Sequence, residues 1–377
     1  MKLSTVAPIV RKSIVGVLLF VVGYYIFTLA VLPFAKVYWY KVFPSKYAPT
    51  VLYGKLDPLE FVEKQIVITT PTYVLNTKTG KLPTLPTVLP VYRFMPVTFS
   101  YADTTNAQRN AAVLGFTDND LISDLKVSIY KWRSPVSGGV LEIPIHTREL
   151  VLTTPLVGKH SLFQAGTLSQ STAAAYAKSL FTQLGRFDDP LYKAGSSIVS
   201  LGSFVGQRIV GTENVKDAQL ARVDLFRFIN KIPIYGPDPK KGLLHVWLRT
   251  PLPEYAVYNY PVVEAYYWPV EQQSNATYPL IPLSGVWKEI AKGNGIVANV
   301  TPKSANPFED YQAAKVDKIL INNIYIAYYD TPKQQKYMQP IYVFEGNYTS
   351  NDGGSGSITF YYPAISGQWT NSVTPAE

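Results

Sequence analysis

The chain has 377 residues, with 35 Lys+Arg against 26 Asp+Glu for a formal net charge of +9, 47% hydrophobic and 16% charged residues, and no cysteine. The missing cysteine excludes disulfides, thiolate metal sites and cysteine nucleophiles, leaving only His146, His160 and His245 for imidazole chemistry. Lys2, Arg11, Lys12, Lys36, Lys41 and Lys46 place +6 in the first 50 residues, which hold no acid; the rest is nearly neutral, with 29 basic and 26 acidic residues, and does not read as a nucleic-acid binder.

Residues 13–35 contain no charge and are almost wholly apolar, the length and composition of a bilayer-spanning helix. Arg11 and Lys12 precede the run; Lys36, Tyr38, Trp39 and Tyr40 follow it, in the pattern of an interfacial anchor and aromatic belt. The sequence therefore predicts a cytoplasmic tail at 1–12 and a single-pass transmembrane helix at 13–35 extending toward 43. The carboxyl-terminal domain is then expected outside the cytoplasm, with the lipid bilayer as one partner. A cleaved signal peptide is the rival, but its apolar region is usually about 7–15 residues.

Pro44, Pro49 and Pro58 suggest a stiff stalk over 44–58. Residues 65–75 are β-branched and aromatic and run into an Asn/Gly turn, predicting a hairpin, and the four prolines of 82–96 bar a continuous central strand. A helix is expected over 104–116, then strands at 126–132 and 140–145 around Ser137-Gly138-Gly139, with a third at 149–154. The order recurs: a helix at 169–184, strands at 221–229, 243–249 and 255–269, a short helix at 283–292, strands at 318–329 and 339–346, and a closing strand at 357–362. The fold class predicted is α+β, a transmembrane helix followed by two helix-plus-antiparallel-sheet units at 59–158 and 164–365, with a tail at 366–377.

Motifs for chemistry are weak. Ser123-x-x-Lys126 and Lys78-Thr79-Gly80 match fragments of the penicillin-binding signature, but in the wrong order. Asp118, Asn119, Asp120 and Asp124 crowd a turn without the spacing of a calcium loop. The histidines lack metal-ligand spacing, and phosphate-loop and nucleophile-elbow motifs are missing. Neither a catalytic residue nor a metal or cofactor is expected. Three glycosylation triplets begin at Asn275, Asn299 and Asn347. The stronger signal is aromatic: Tyr255, Tyr258, Tyr260, Tyr266 and Trp268, with Tyr325, Tyr328 and Tyr361, would share strand faces that could grip a partner or stack on sugars. The alternative is that those faces are core.

The anchor, the helix-plus-meander order and the phrases at 221–227, 286–293 and 341–346 resemble the PepSY and YycH/YycI-type extracytoplasmic proteins, mainly over 165–365. That resemblance implies PepSY-like units and a non-enzymatic role restraining or tuning an envelope or membrane protein by direct contact. The expected function is a membrane-tethered interaction protein of the cell envelope; the alternative is a glycan or wall-polymer binder using exposed aromatic strand faces.

Overall fold

The computed structural model describes residues 16–17, 20–21, 23–25, 27–31, 49–96, 100, 102–122, 129–144, 149–274 and 276–371. Residues 1–49 and 50–377 form separate units. Within the first, the described part of 13–35 holds short helical pieces and a π-helix at Phe27–Val31. Among the described residues no helix is long and apolar enough to cross a membrane, so the transmembrane helix, and the single-pass membrane localisation drawn from it, are corrected. Arg11, Lys12, Lys36, Tyr38, Trp39 and Tyr40 lie outside the described residues.

The second unit is dominated by strands. In chain order they are β1 Val67–Leu75, β2 Val88–Pro90, β3 Tyr92–Arg93, helix α1 Ala102–Val113, β4 Ile129–Arg133, β5 Val140–Pro144, β6 Leu150–Thr153, α2 Gln170–Gln183, α3 Pro190–Lys193, β7 Ser196–Val205, β8 Arg208–Thr212, β9 Leu220–Ile229, β10 Ile232–Tyr235, β11 Leu244–Leu248, α4 Ala256–Asn259, β12 Val262–Ala265, β13 Thr277–Pro279, α5 Leu283–Ala291, β14 Ile296–Pro302, β15 Lys315–Tyr329, β16 Tyr337–Thr349 and β17 Ser355–Pro363. Fifteen of these strands make one mixed sheet, whose main path is β14-β17-β16-β15-β10-β9-β11-β12-β6-β5-β4.

This replaces the expected pair of consecutive helix-plus-sheet units. One half of the sheet, β4 to β9 with β11 and β12, comes from the middle of the chain. The other half joins β14 to β17 with β1, which pairs parallel to β15 at Tyr73 with Ile319 and Leu75 with Ile321. The middle segment is thus inserted between β1 and its partner, and β6 of the first expected unit pairs with β12 of the second, Val263 opposite Leu152. β1 does not fold back as a local hairpin, because the proline-rich stretch after it cannot supply a continuous return strand; β2 instead pairs with β13, Leu89 opposite Tyr278. The stalk is packed too: Leu56 is fully buried and bridges Thr370, and Tyr53 stacks on Tyr337 at 4.6 Å.

Local chemistry explains the elements that do follow the sequence. The tight Gly138 turn, at φ 71°, joins β4 to β5. Ser169 caps α2 through its hydroxyl, which accepts from the Thr172 amide at 3.1 Å, and Ala173 and Ala177 let that helix lie close on β7, β9 and β11. α1 and α2 cover one face of the middle half, over Val223, Val246, Leu152 and Trp132. In the other half both faces are covered, Phe344 and Tyr342 on one side and Ile341 and Val343 on the other. Continuous burial, rather than alternation, is the mark of such a strand.

β10 alone bridges the halves along the main path, pairing with β9 at three positions and β15 at two. It leaves β9 through a two-residue turn in which Asn230 and Lys231 have φ of 50° and 66°, the geometry that favours Asn-Gly. Beside it Arg227 donates from Nη2 to Asp330 and from Nη1 to the Trp268 carbonyl at 2.9 Å, with Asp189 at 3.5 Å. Burial pulls the guanidinium down, but Asp330, with Asp189 and two tyrosines, more than offsets it and holds the charge.

Two outcomes follow from the joint. Lys231→Gly relieves a left-handed non-glycine residue and raises stability by about 1 kcal/mol, read by urea unfolding. Asp330→Ala leaves the buried Arg227 cation with only the longer Asp189 contact and costs about 3–5 kcal/mol in the same measurement.

Candidate functional site

The aromatic residues expected to make a binding face are mostly interior. Tyr258, Trp268, Tyr328 and Tyr361 are buried, and each polar tip is already bonded: Tyr258 to the Val136 carbonyl at 3.1 Å, Trp268 Nε1 to the Thr331 carbonyl at 3.0 Å, Tyr328 to the Pro90 carbonyl at 2.9 Å and Tyr361 to the Gly236 carbonyl at 3.1 Å. Tyr325 is half-buried and donates to Glu345 at 2.7 Å; Tyr260 and Tyr266 are half-buried as well. Only Tyr255 of the set is exposed. The continuous strand expected over 255–269 is a 3-10 turn at Pro253–Tyr255, then α4, then β12. Tyr255, Tyr258 and Tyr260 therefore never line one strand face, and the sugar-stacking platform is not formed.

The other candidates are accounted for. Among the described residues no three His, Asp, Glu or Cys side chains gather as a metal site. Asp120 accepts from the Thr117 amide at 2.7 Å in a 3-10 turn. His245 is buried on β11, its Nδ1 2.8 Å from Asp224, which Arg222 also contacts at 2.9 Å. Burial pushes the Asp224 carboxyl up, but His245 and Arg222 outweigh it and hold it low. Asn299 is buried and donates to Asp238 at 2.9 Å; Asn275, His146, Ser123, Asp124 and Lys126 lie outside the described residues. A hollow of about 230 Å³ between Asp57, Glu60, Lys333 and Gln335 is below the roughly 300–1,000 Å³ of small-molecule sites. Lys333 on its rim donates to Glu60 at 2.7 Å.

What the fold does assemble lies at one end of the middle half, where three loops meet: the β4–β5 turn, the segment after β6 and the segment between β11 and β12. Antiparallel pairing brings them together, since Val140 and Val262 both sit opposite Thr153. One backbone hydrogen bond then ties the second loop to the third, and others close the third on itself. The Thr154 amide donates to the Pro261 carbonyl at 2.7 Å, the Arg249 amide to the Asn259 carbonyl at 3.1 Å, and Asn259 closes its own loop on both the amide and carbonyl of Leu252 at 2.9 and 3.0 Å.

Arg249, the residue after β11, is 2% exposed. Its guanidinium lies 5.5 Å from the centre of the Phe163 ring and 5.3 Å from that of Tyr255, an arrangement that attracts the cation to both rings. Nε and Nη1 are buried without a hydrogen-bond partner, and among the described residues no carboxylate lies within ion-pair distance. Burial pulls its pKa down, against Tyr255 and Glu254, yet a guanidinium stays charged at neutral pH. Lys159 adds a second cation, 5.8 Å above the Tyr258 ring. Around them Val136 and Val157 are 71% and 68% exposed. No sequence motif marks Arg249; Pro253 and the close-set tyrosines were the available signal, and they read as strand.

No family model and no curated protein matches the chain. Among solved structures it is similar to an uncharacterized protein from Eubacterium rectale, at 11% identity and a TM-score of 0.42 over 74% of this chain and 85% of that one.

The burial of the tyrosines has a measurable consequence. Burial pushes Tyr266 up to about 12 and raises Tyr260, Tyr328 and Tyr361. Their folded values lie above the unfolded value near 10, so the stability they contribute is complete below about pH 10 and lost as pH rises. An alkaline titration followed by tyrosinate absorbance will show a late group of tyrosines ionising together with loss of the circular dichroism signal.

Proposed function

We propose that this chain is a non-enzymatic interaction protein that docks a peptide segment of a partner on the three-loop end of its sheet. The observation that carries the reading is the pairing of exposed aliphatics, Val136 and Val157, with a buried, unbalanced cation on loops held by mutual hydrogen bonds. Exposed valines at the tips of pinned loops offer apolar contact at little ordering cost, because the backbone is already fixed. Lys159 and the buried Arg249 give this end of the sheet positive charge, which complements an acidic or carboxylate-bearing segment. Aromatic and arginine side chains at the middle of a contact are the types that dominate binding energy.

Panning a random peptide library against the full chain tests this. Selected peptides are expected to bind roughly tenfold or more weakly to Val136→Asp and Val157→Asp, a loss of about 1.4 kcal/mol. Val62→Asp, an exposed valine elsewhere on the chain, should bind them as the parent does. Peptides that bind all three variants equally, or no enrichment at all, would remove this function.

A further inference from the structure

Resting on that docking reading and deepening it, we infer that Arg249 is a carboxylate-binding residue and that the partner segment presents a carboxylate to it, from an acidic side chain or a chain terminus.

The argument begins with what the protein leaves unfinished. A buried donor without an acceptor is destabilising by about 1–3 kcal/mol, and more when it is charged. Arg249 has two such donors, Nε and Nη1. Its ring neighbours do not supply acceptors: Phe163 has none, and Tyr255 meets the guanidinium with its ring. Phe163 and Tyr255 present rings to the guanidinium at 5.5 and 5.3 Å, and a ring face attracts the cation without accepting a bond from Nε or Nη1. Both geometries in which a carboxylate grips a guanidinium with two bonds use either Nε or Nη1 together with Nη2. Either orphaned donor can therefore take one oxygen of a planar acceptor whose other oxygen meets Nη2.

A second buried arginine in the same sheet shows that the fold can neutralise such a charge. Arg227 is also flanked by rings, Tyr192 at 5.6 Å and Tyr267 at 6.0 Å, but it is met by Asp330 and Asp189. Glu254 is close in sequence to Arg249 yet exposed and outside ion-pair distance. The surroundings favour an organic acid on a chain: Lys159 lies over Tyr258, whose hydroxyl reaches the Val136 carbonyl, so exposed aliphatic surface begins one side chain from this second cation.

The test uses the full chain labelled for guanidinium nitrogen NMR. The Arg249 Nε–H signal is recognisable by ring-current shifts and contacts from Phe163 and Tyr255. Sodium acetate should move that signal saturably, with half-saturation in the millimolar range, while sodium chloride at equal ionic strength should not. Arg249→Lys keeps the charge but loses the planar fork, and should weaken acetate binding roughly tenfold. An Arg249 signal that follows acetate and chloride alike, or that responds to inorganic phosphate and not to acetate, overturns the inference. The parent protein alone decides this, so poor folding of a variant does not obscure it. Val136→Asp and Val157→Asp separate the two readings: acetate binding that persists in them while selected peptides bind them equally rejects the docking surface and keeps the carboxylate site.

Discussion

The ion cluster at Arg227 holds the architecture together. Its partners come from four places in the chain, Asp189 before α3, Arg227 on β9, Trp268 after β12 and Asp330 after β15, and all are buried. It sits where the two halves of the sheet are joined by β10, whose five pairings could not by themselves fix the angle of one half on the other. The cluster adds directional bonds at that point: Trp268 Nε1 donates to the Thr331 carbonyl, and the Thr331 amide donates to Asp330 at 2.8 Å. Burial raises the Asp330 carboxyl against the pull of Arg227. With a buried charge at stake, loss of either partner is far more damaging than loss of a surface pair.

That joint also explains which parts of the fold were legible in the sequence. Elements closed by local chemistry could be read: the β4–β5 hairpin from its Ser-Gly-Gly turn, α2 from Ser169, and β15 with β16 from their β-branched and aromatic runs. The pairing of β1 with β15 could not, because contacts about 245 positions apart leave no periodicity for a local pattern to detect. The insertion of the middle half between β1 and β15 is equally silent, and an order of helices and strands that recurs along the chain suggested two successive units instead.

The tyrosines misled for a physical reason. Alternating aromatics mark one face of a strand, but alternation alone does not say whether the opposite face is exposed. In the β14–β17 half both faces are covered, one by α5 and the β2–β13 pair and the other by residues near Leu59 and Phe61. A tyrosine is well suited to such a place, since its ring fills the core while its hydroxyl reaches a carbonyl. At 255–260 the error was different. Pro253 begins a 3-10 turn and Asn259 closes the loop on Leu252, so a spacing that fits a strand is taken up by helical turns.

Arg249 shows why a binding position can be invisible in sequence and plain in structure. An arginine at a strand end is unremarkable by composition, and the surrounding tyrosines suggested core or platform. Its significance lies in the difference between two arginines that share one sheet. Both are desolvated and each lies near two rings, so aromatic contact does not distinguish them. Arg227 has acceptors for its charge, supplied from distant segments at a structural joint, and serves the fold. Arg249 lies beside a loop closed by backbone and Asn259 bonds, and its Nε and Nη1 have no acceptor there. A desolvated charge that the fold does not neutralise is best explained by an acceptor that arrives from outside.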